Sequence, residues 1–214
     1  MARFFTGDYK NKMDFEYGEF HPFFSELKQF KKNTELPDKA KIERSIATAS
    51  VFFNQFVTEK NNLTERGVKV SDVLLECENL IKTISVPDND ILENIIKQDG
   101  SARWLVLFGE RLGGHCAISG VSSSQIRNIY GQVKKLELLV AIKPETELLD
   151  ALSQRKLILL IPRLAYAAKR QEAITELSNV LSRSIKKIIT VGDFMRFSQY
   201  FEAILAYHKA FGGK

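Results

Sequence analysis

One period runs through this chain. Apolar residues return every three or four positions and almost nowhere every second one. That pattern commits the chain to helices packed on helices, because a helix stripes one face whereas a strand alternates two. The last stretch shows it most strongly: Phe194, Phe197, Phe201, Ile204, Leu205 and His208 share one face, and Arg196, Tyr200, Ala203 and Tyr207 share another. A helix apolar over so much of its circumference sits at the centre of a bundle or is shared with a partner chain. Asp193 reads as its N-cap and Gly212-Gly213 as its stop. Five prolines and twelve glycines in 214 residues are also too few for the many turns of an all-β fold. The expected class is all-α, a compact helical bundle with an additional helical N-terminal segment.

Further helices follow from the same spacing. PDKAKIERSIATASVFFNQFVTEKNN places Ile42, Ile46, Ala49, Phe53, Phe56 and Val57 on one face, with a start at Pro37-Asp38 and a stop at Asn61-Asn62. SDVLLECENLIKTIS repeats the pattern behind an N-cap at Ser71 and puts Cys77 among core residues. PFFSELKQFKK carries Phe23, Phe24, Leu27 and Phe30 on a shorter helix that needs a partner surface. VPDND at 86–90 marks a boundary, which gives an N-terminal extension over 1–88 and a bundle over 89–214. The charge changes sign there. Residues 1–90 hold 13 Lys/Arg against 15 Asp/Glu, a net −2, and residues 91–214 hold 18 against 11, a net +7. A basic C-terminal part suits a polyanionic partner; a merely basic soluble protein fits the charge equally well.

SARWLVLFGERLGG aligns Trp104, Leu105, Phe108 and Leu112 and is expected to stop at Gly113-Gly114, with His115 and Cys116 beyond the stop. VSSSQIRNIYGQVKKLELLVA opens on a capping box, Ser122-x-x-Gln125. Its apolar face is Ile126, Ile129, Tyr130, Val133, Leu136 and Val140. Arg127 and Lys134, two turns apart, share another face that Gly131 keeps low, so they can meet successive phosphates or simply stay solvated. KPETELLDALSQRKLILL reads as a helix with Pro144 in its first turn. Pro162 starts a new one, with Leu164, Ala165 and Ala168 inward. On that helix Arg163, Tyr166 and Arg170 form one stripe. It suits a nucleic-acid backbone with a ring offered to sugar or base, and a core tyrosine flanked by two arginines is the plainer alternative. Lys169 lies beside the stripe, and Lys186-Lys187 fall near the end of the following helix.

Enzymatic signatures are absent: no Gly-rich phosphate loop, no His-Glu-x-x-His, no Cys-x-x-Cys. Cys77 and Cys116 make neither a disulfide framework nor a metal set, and His21, His115 and His208 stand far apart. No metal and no cofactor is expected, and binding is favoured over catalysis. His208 reads as a packed, hydrogen-bonded core residue, with Lys209 off that face towards RNA or solvent. No run of eighteen apolar residues occurs and MARFFTGDYK lacks an apolar signal core, so the expected compartment is the cytoplasm.

Three segments in order carry a family resemblance. They are Gln125-Ile126-Arg127 with Tyr130, then Arg163-Leu164-Ala165-Tyr166-Ala167 with Arg170, then Tyr200-Phe201-Glu202-Ala203-Ile204-Leu205-Ala206-Tyr207-His208-Lys209. Over roughly 90–214 the chain resembles the small subunit of type III-A (Csm) CRISPR effector complexes. Residues 1 to about 88 have no counterpart in that family pattern, and Tyr200 stands where the pattern has phenylalanine. The resemblance implies a non-catalytic helical bundle. It also implies self-association, with copies stacking in a filament along guide RNA and target RNA, touching backbone while base pairing reads sequence. The expected RNA contacts are Arg127, Lys134, Arg163, Lys169, Arg170, Lys186, Lys187 and Lys209, with other subunits of the complex as partners. A helical protein-interaction scaffold whose basic face meets acidic protein is the alternative.

Overall fold

The computed structural model describes Lys82, residues 85–97 and residues 102–213. The helices expected before residue 85, with Cys77 and the phenylalanines of PFFSELKQF, lie outside the described residues. The chain divides into two units, Met1–Ile84 and Ser85–Lys214.

Within the second unit the order is α1 Asn89–Lys97, α2 Ala102–Ile118, α3 Ser123–Val140, α4 Ala151–Ile158, α5 Leu160–Arg170, α6 Thr175–Ile185 and α7 Val191–Ala210, with a 3-10 turn at Glu172–Ile174. There is no strand among the described residues, only one isolated bridge between Leu148 and Thr190. The all-α expectation is met. Helix α7 is the centre: it packs on α2, α3 and α1, while α5 packs on α6. Phe194, Phe197, Tyr200, Phe201 and Ile204 are buried on two of its faces, as a helix apolar nearly all round requires. Their rings run Phe194, Phe197, Phe201 and on to Tyr130 of α3, with centroids 6.3, 6.4 and 5.4 Å apart and the last pair edge-on.

Helix α2 does not stop at Gly113-Gly114; it continues to Ile118 and carries His115 and Cys116 into the interior. The glycines serve closeness instead. A Cβ on Gly109 would lie 2.7 Å from the Ala203 Cβ, and one on Gly113 would lie 2.7 Å from the Ile204 carbonyl oxygen and 2.8 Å from the His208 nitrogen. Two side-chain-free positions four apart make a notch that lets the α7 backbone lie against α2. Cys116 is enclosed there, and burial pushes its thiol up to about 12, so it is an inert core residue. Arg111 lies under the same cover with its guanidinium 5.0 Å from the Phe108 ring centroid; burial pulls it down to about 10, opposed by Glu110.

Helix ends follow local chemistry, with two corrections. The N-cap of α7 is Thr190, not Asp193: Asp193 is the third residue of the helix, and the two close a capping box. Asp193 also accepts from the Ile189 amide at 2.9 Å and pairs with Lys97 of α1. Pro144 is not in a helix: residues 141–150 form turns and the bridge, and α4 starts at Ala151 with Asp150 as its cap. Amides of Val191 and Gly192 donate to the carbonyls of Glu147 and Glu145, both at 2.8 Å, so this connection is already occupied as a capping surface for α7. The α4–α5 break falls at Leu159, which places Pro162 in the first turn of α5, where its missing N–H costs nothing. Ser122 and Gln125 form the expected capping box.

The end of α7 is a Schellman motif. Gly212 sits at φ 72°, its amide donates to Lys209 at 2.9 Å, and the Gly213 amide donates to His208 at 2.9 Å. Gly213 then lies against the His208 ring, and its carbonyl accepts from Ser123 of α3 at 3.2 Å. His208 is fully buried and its Nε2 is 2.8 Å from the Val121 carbonyl, an acceptor only, so that nitrogen carries the proton. The expected core histidine is what the fold contains.

Candidate functional site

Helices α3 and α5 share a cleft rather than a packed seam. The α3 wall is a single stripe at helical spacing, Gln125, Asn128, Gln132, Lys135 and Leu139; the α5 wall is Arg163, Tyr166, Ala167 and Arg170. The wider part holds about 820 Å³ and an adjoining part about 430 Å³, and Asn128, Gln132 and Arg163 line both. The separation has a cause in the sequence. Helix α3 spends its apolar stripe, Ile126, Val133, Leu136 and Val140, on the core, and α5 spends Leu160 and Leu164 there. What faces across the gap includes long polar side chains from both helices beside Ile129, Leu139 and Ile174, and long polar side chains hold helix axes apart. Bonds span it at two places: Gln125 Nε2 donates to Gln171, and the Arg163 guanidinium donates to Gln132 Oε1.

Four basic side chains line the two parts together, Lys135, Lys156, Arg163 and Arg170, and among the described residues no carboxylate does. Arg163 and Arg170 are both exposed and two helical turns apart, about 10 Å by the rise of the helix. Tyr166 lies between them, 65% exposed, with the Arg170 guanidinium 5.7 Å from its ring centroid. The alternative of a core tyrosine is thereby overturned. Ala165, expected inward, is exposed, and Leu164 alone is fully buried in that turn.

The other expected contacts do not converge on the cleft. Arg127 is exposed on the neighbouring stripe of α3. Lys134 on that stripe binds Glu137 at 2.9 Å and approaches Glu202 at 3.5 Å, and the Glu137 bond holds its ammonium well above the ordinary lysine range. Tyr130 donates to the same Glu202 at 3.0 Å. Gly131 faces open space, as its low face requires. Lys187 pairs with Glu93 of α1; Lys186 is the exposed C-cap of α6, Lys169 is exposed near the end of α5, and Lys209 is exposed in the last turn of α7. Lys135 and Lys156 were not singled out by the sequence. Lys135 follows Lys134 in a run that names no face, and Lys156 belongs to a helix whose neighbour across the gap is visible only in three dimensions.

Among the described residues no group of three or more His, Cys, Asp or Glu is placed to hold a metal ion, and no helix is long and apolar enough to cross a membrane. Fold and cleft together define an all-helical bundle with a basic surface channel. The model of one family, Csm2 Type III-A, matches residues 99–214, more than half of the chain, and the chain belongs to that family, small subunits of type III-A CRISPR effector complexes. No curated protein and no solved structure matches it significantly. The match covers all three motif segments. Gln125, Arg163, Tyr166 and Arg170 from the first two face one cleft, whereas the third supplies the centre of the core, with Tyr200, Phe201, Ile204 and His208 buried.

Proposed function

We propose that this chain is a non-catalytic small subunit that lies along the guide RNA–target RNA of a type III-A complex in the cytoplasm and grips its sugar-phosphate backbone through the α3–α5 cleft. The observation that carries this reading is the lining of the cleft: four cationic side chains and, among the described residues, no carboxylate, on a chain whose part beyond residue 90 carries a net +7. Arg163 and Arg170 are the principal contacts, with Lys135, Lys156, Arg127 and Lys169 flanking them. Lys134 and Lys187 exchange a carboxylate for a phosphate on binding, and Lys186 and Lys209 contribute long-range attraction. Sequence reading stays with base pairing, and the protein contributes shape and charge.

Copies stack in a filament so that the arginine stripe repeats along the strand. Exposed apolar side chains at the end of α3 and around the start of α4 support such stacking: Leu138, Ile142, Leu148 and Leu152 are each more than 60% exposed. Residues 89–214 form the RNA-facing bundle. The test is fluorescence anisotropy with the full chain and labelled RNAs of unrelated sequence. Arg163→Glu with Arg170→Glu weakens all of them alike, and the slope of log affinity against log salt becomes shallower by about 0.7 for each single-strand phosphate lost. Unchanged affinity and slope would leave the scaffold reading, in which the basic face meets acidic protein.

A further inference from the structure

Backbone contact leaves one part of the cleft without a role, the amide-lined stretch beside Tyr166. On the assumption that the cleft receives RNA, we infer that it also takes an unpaired nucleobase, stacked on Tyr166 and held at its edge by amides of α3. Phosphate recognition asks for cations and backbone amides. Here four carboxamides, Gln125, Asn128, Gln132 and Gln171, line the same space as the two arginines. Their state is set by the structure. Gln132 accepts from Arg163 through Oε1, which leaves its amino group as a donor. Gln125 accepts from the Ser122 hydroxyl at 2.9 Å and donates to Gln171, which leaves the Gln171 amino group as a second donor. Asn128 lies midway, exposed, and its side chain has no partner among the described residues. One carboxamide presenting both donor and acceptor matches the Watson–Crick edge of any base, since each of those edges carries both.

The ring supplies the platform. Tyr166 is exposed on a helix whose buried face is already provided by Leu160 and Leu164, so packing gives no reason for an aromatic there. Arg170 reaches over the ring and provides the cation that favours a stacked base and its phosphate together. Ile129, Ala167 and Ile174 line the same part of the cleft and give the inserted base an apolar floor. A duplex keeps its bases in the stack, so this pocket serves a base that is displaced or single-stranded.

The experiment compares three probes on the full chain: a mixed-sequence 12-nucleotide single-stranded RNA, the same RNA in duplex form, and an abasic ribose-phosphate 12-mer. Tyr166→Ala is expected to weaken the single strand about tenfold, with little effect on the duplex or the abasic strand and no change in salt slope. Tyr166→Phe keeps the ring and stays within about twofold of the parent. Asn128→Ala weakens the single strand by a smaller factor. If Tyr166→Ala leaves the single strand unaffected, or weakens the abasic strand equally, the base pocket is wrong. In that case Arg163→Glu with Arg170→Glu still lowers affinity for all three probes if the backbone reading stands, and leaves all three unchanged if that reading also fails.

Discussion

Two helix pairs in this molecule solve opposite problems. The α2–α7 pair is closed: Gly109 and Gly113 remove side chains so that a backbone lies against a backbone. The α3–α5 pair is open: arginine, tyrosine and carboxamides face one another across a cleft. Both lie on amphipathic helices of one bundle, yet the first is specified by what is missing at two positions and the second by what is too large and too polar to pack. Stability should therefore be concentrated in the closed pair and binding in the open one.

The sharpest way to break that division is Gly113→Ala. In a solvated helix interior this change stabilises by up to about 1 kcal/mol. Here the new methyl would meet main-chain atoms of α7 at 2.7 and 2.8 Å, so a loss of about 3 kcal/mol in urea unfolding is expected. Next is Asp193→Asn, with a loss of about 2 kcal/mol at neutral pH, because a buried carboxylate that accepts from Lys97 and two amides becomes a neutral amide. Burial pushes the Asp193 carboxyl up, but the Lys97 bond and the Thr190 and Ile189 amides outweigh it and hold it below the ordinary value. Its folded value being depressed, its contribution is present above the unfolded carboxyl range near 3.8 and is lost as pH falls through the lower folded value. The variant should flatten that acid limb of the unfolding midpoint. Gly131→Ala tests the same substitution on the open side: with nothing within 4 Å of its Cβ, a gain of up to about 1 kcal/mol is expected. The smallest effect on stability belongs to Arg163→Glu with Arg170→Glu, within about 0.5 kcal/mol per site, although these carry the largest expected effect on RNA affinity.

How far the sequence could see divides along the same line. Apolar stripes and the Ser122–Gln125 box are local, and they fixed the helices and the burial of α7. Gly113-Gly114 misled because glycine marks both a helix end and a close approach, and only the position of α7 tells them apart. Asp193 has a capping side chain by type, but Thr190, three residues earlier, has the extended backbone a cap needs. Pro144 suits a helix start by type, but the chain there is committed to capping another helix through Glu145 and Glu147. The arginine–tyrosine–arginine stripe was legible from spacing. Its opposite wall was not, because Asn128, Gln132 and Lys135 acquire meaning only when α5 is placed beside them.

The connection between α3 and α4 carries one more consequence. It is tied to the start of α7 by main-chain bonds, Leu149 to Ile189 at 3.0 Å, Val191 to Glu147 and Gly192 to Glu145 at 2.8 Å each. Such bonds are indifferent to side-chain identity. Apart from buried Leu149, the Asp150 cap and the exposed Ile142 and Leu148, the residues of this loop are then free to drift over evolutionary time while the helices after it, including the wall that bears Arg163, stay registered on the core. Related chains would keep the same cleft under loops that share few residues in sequence.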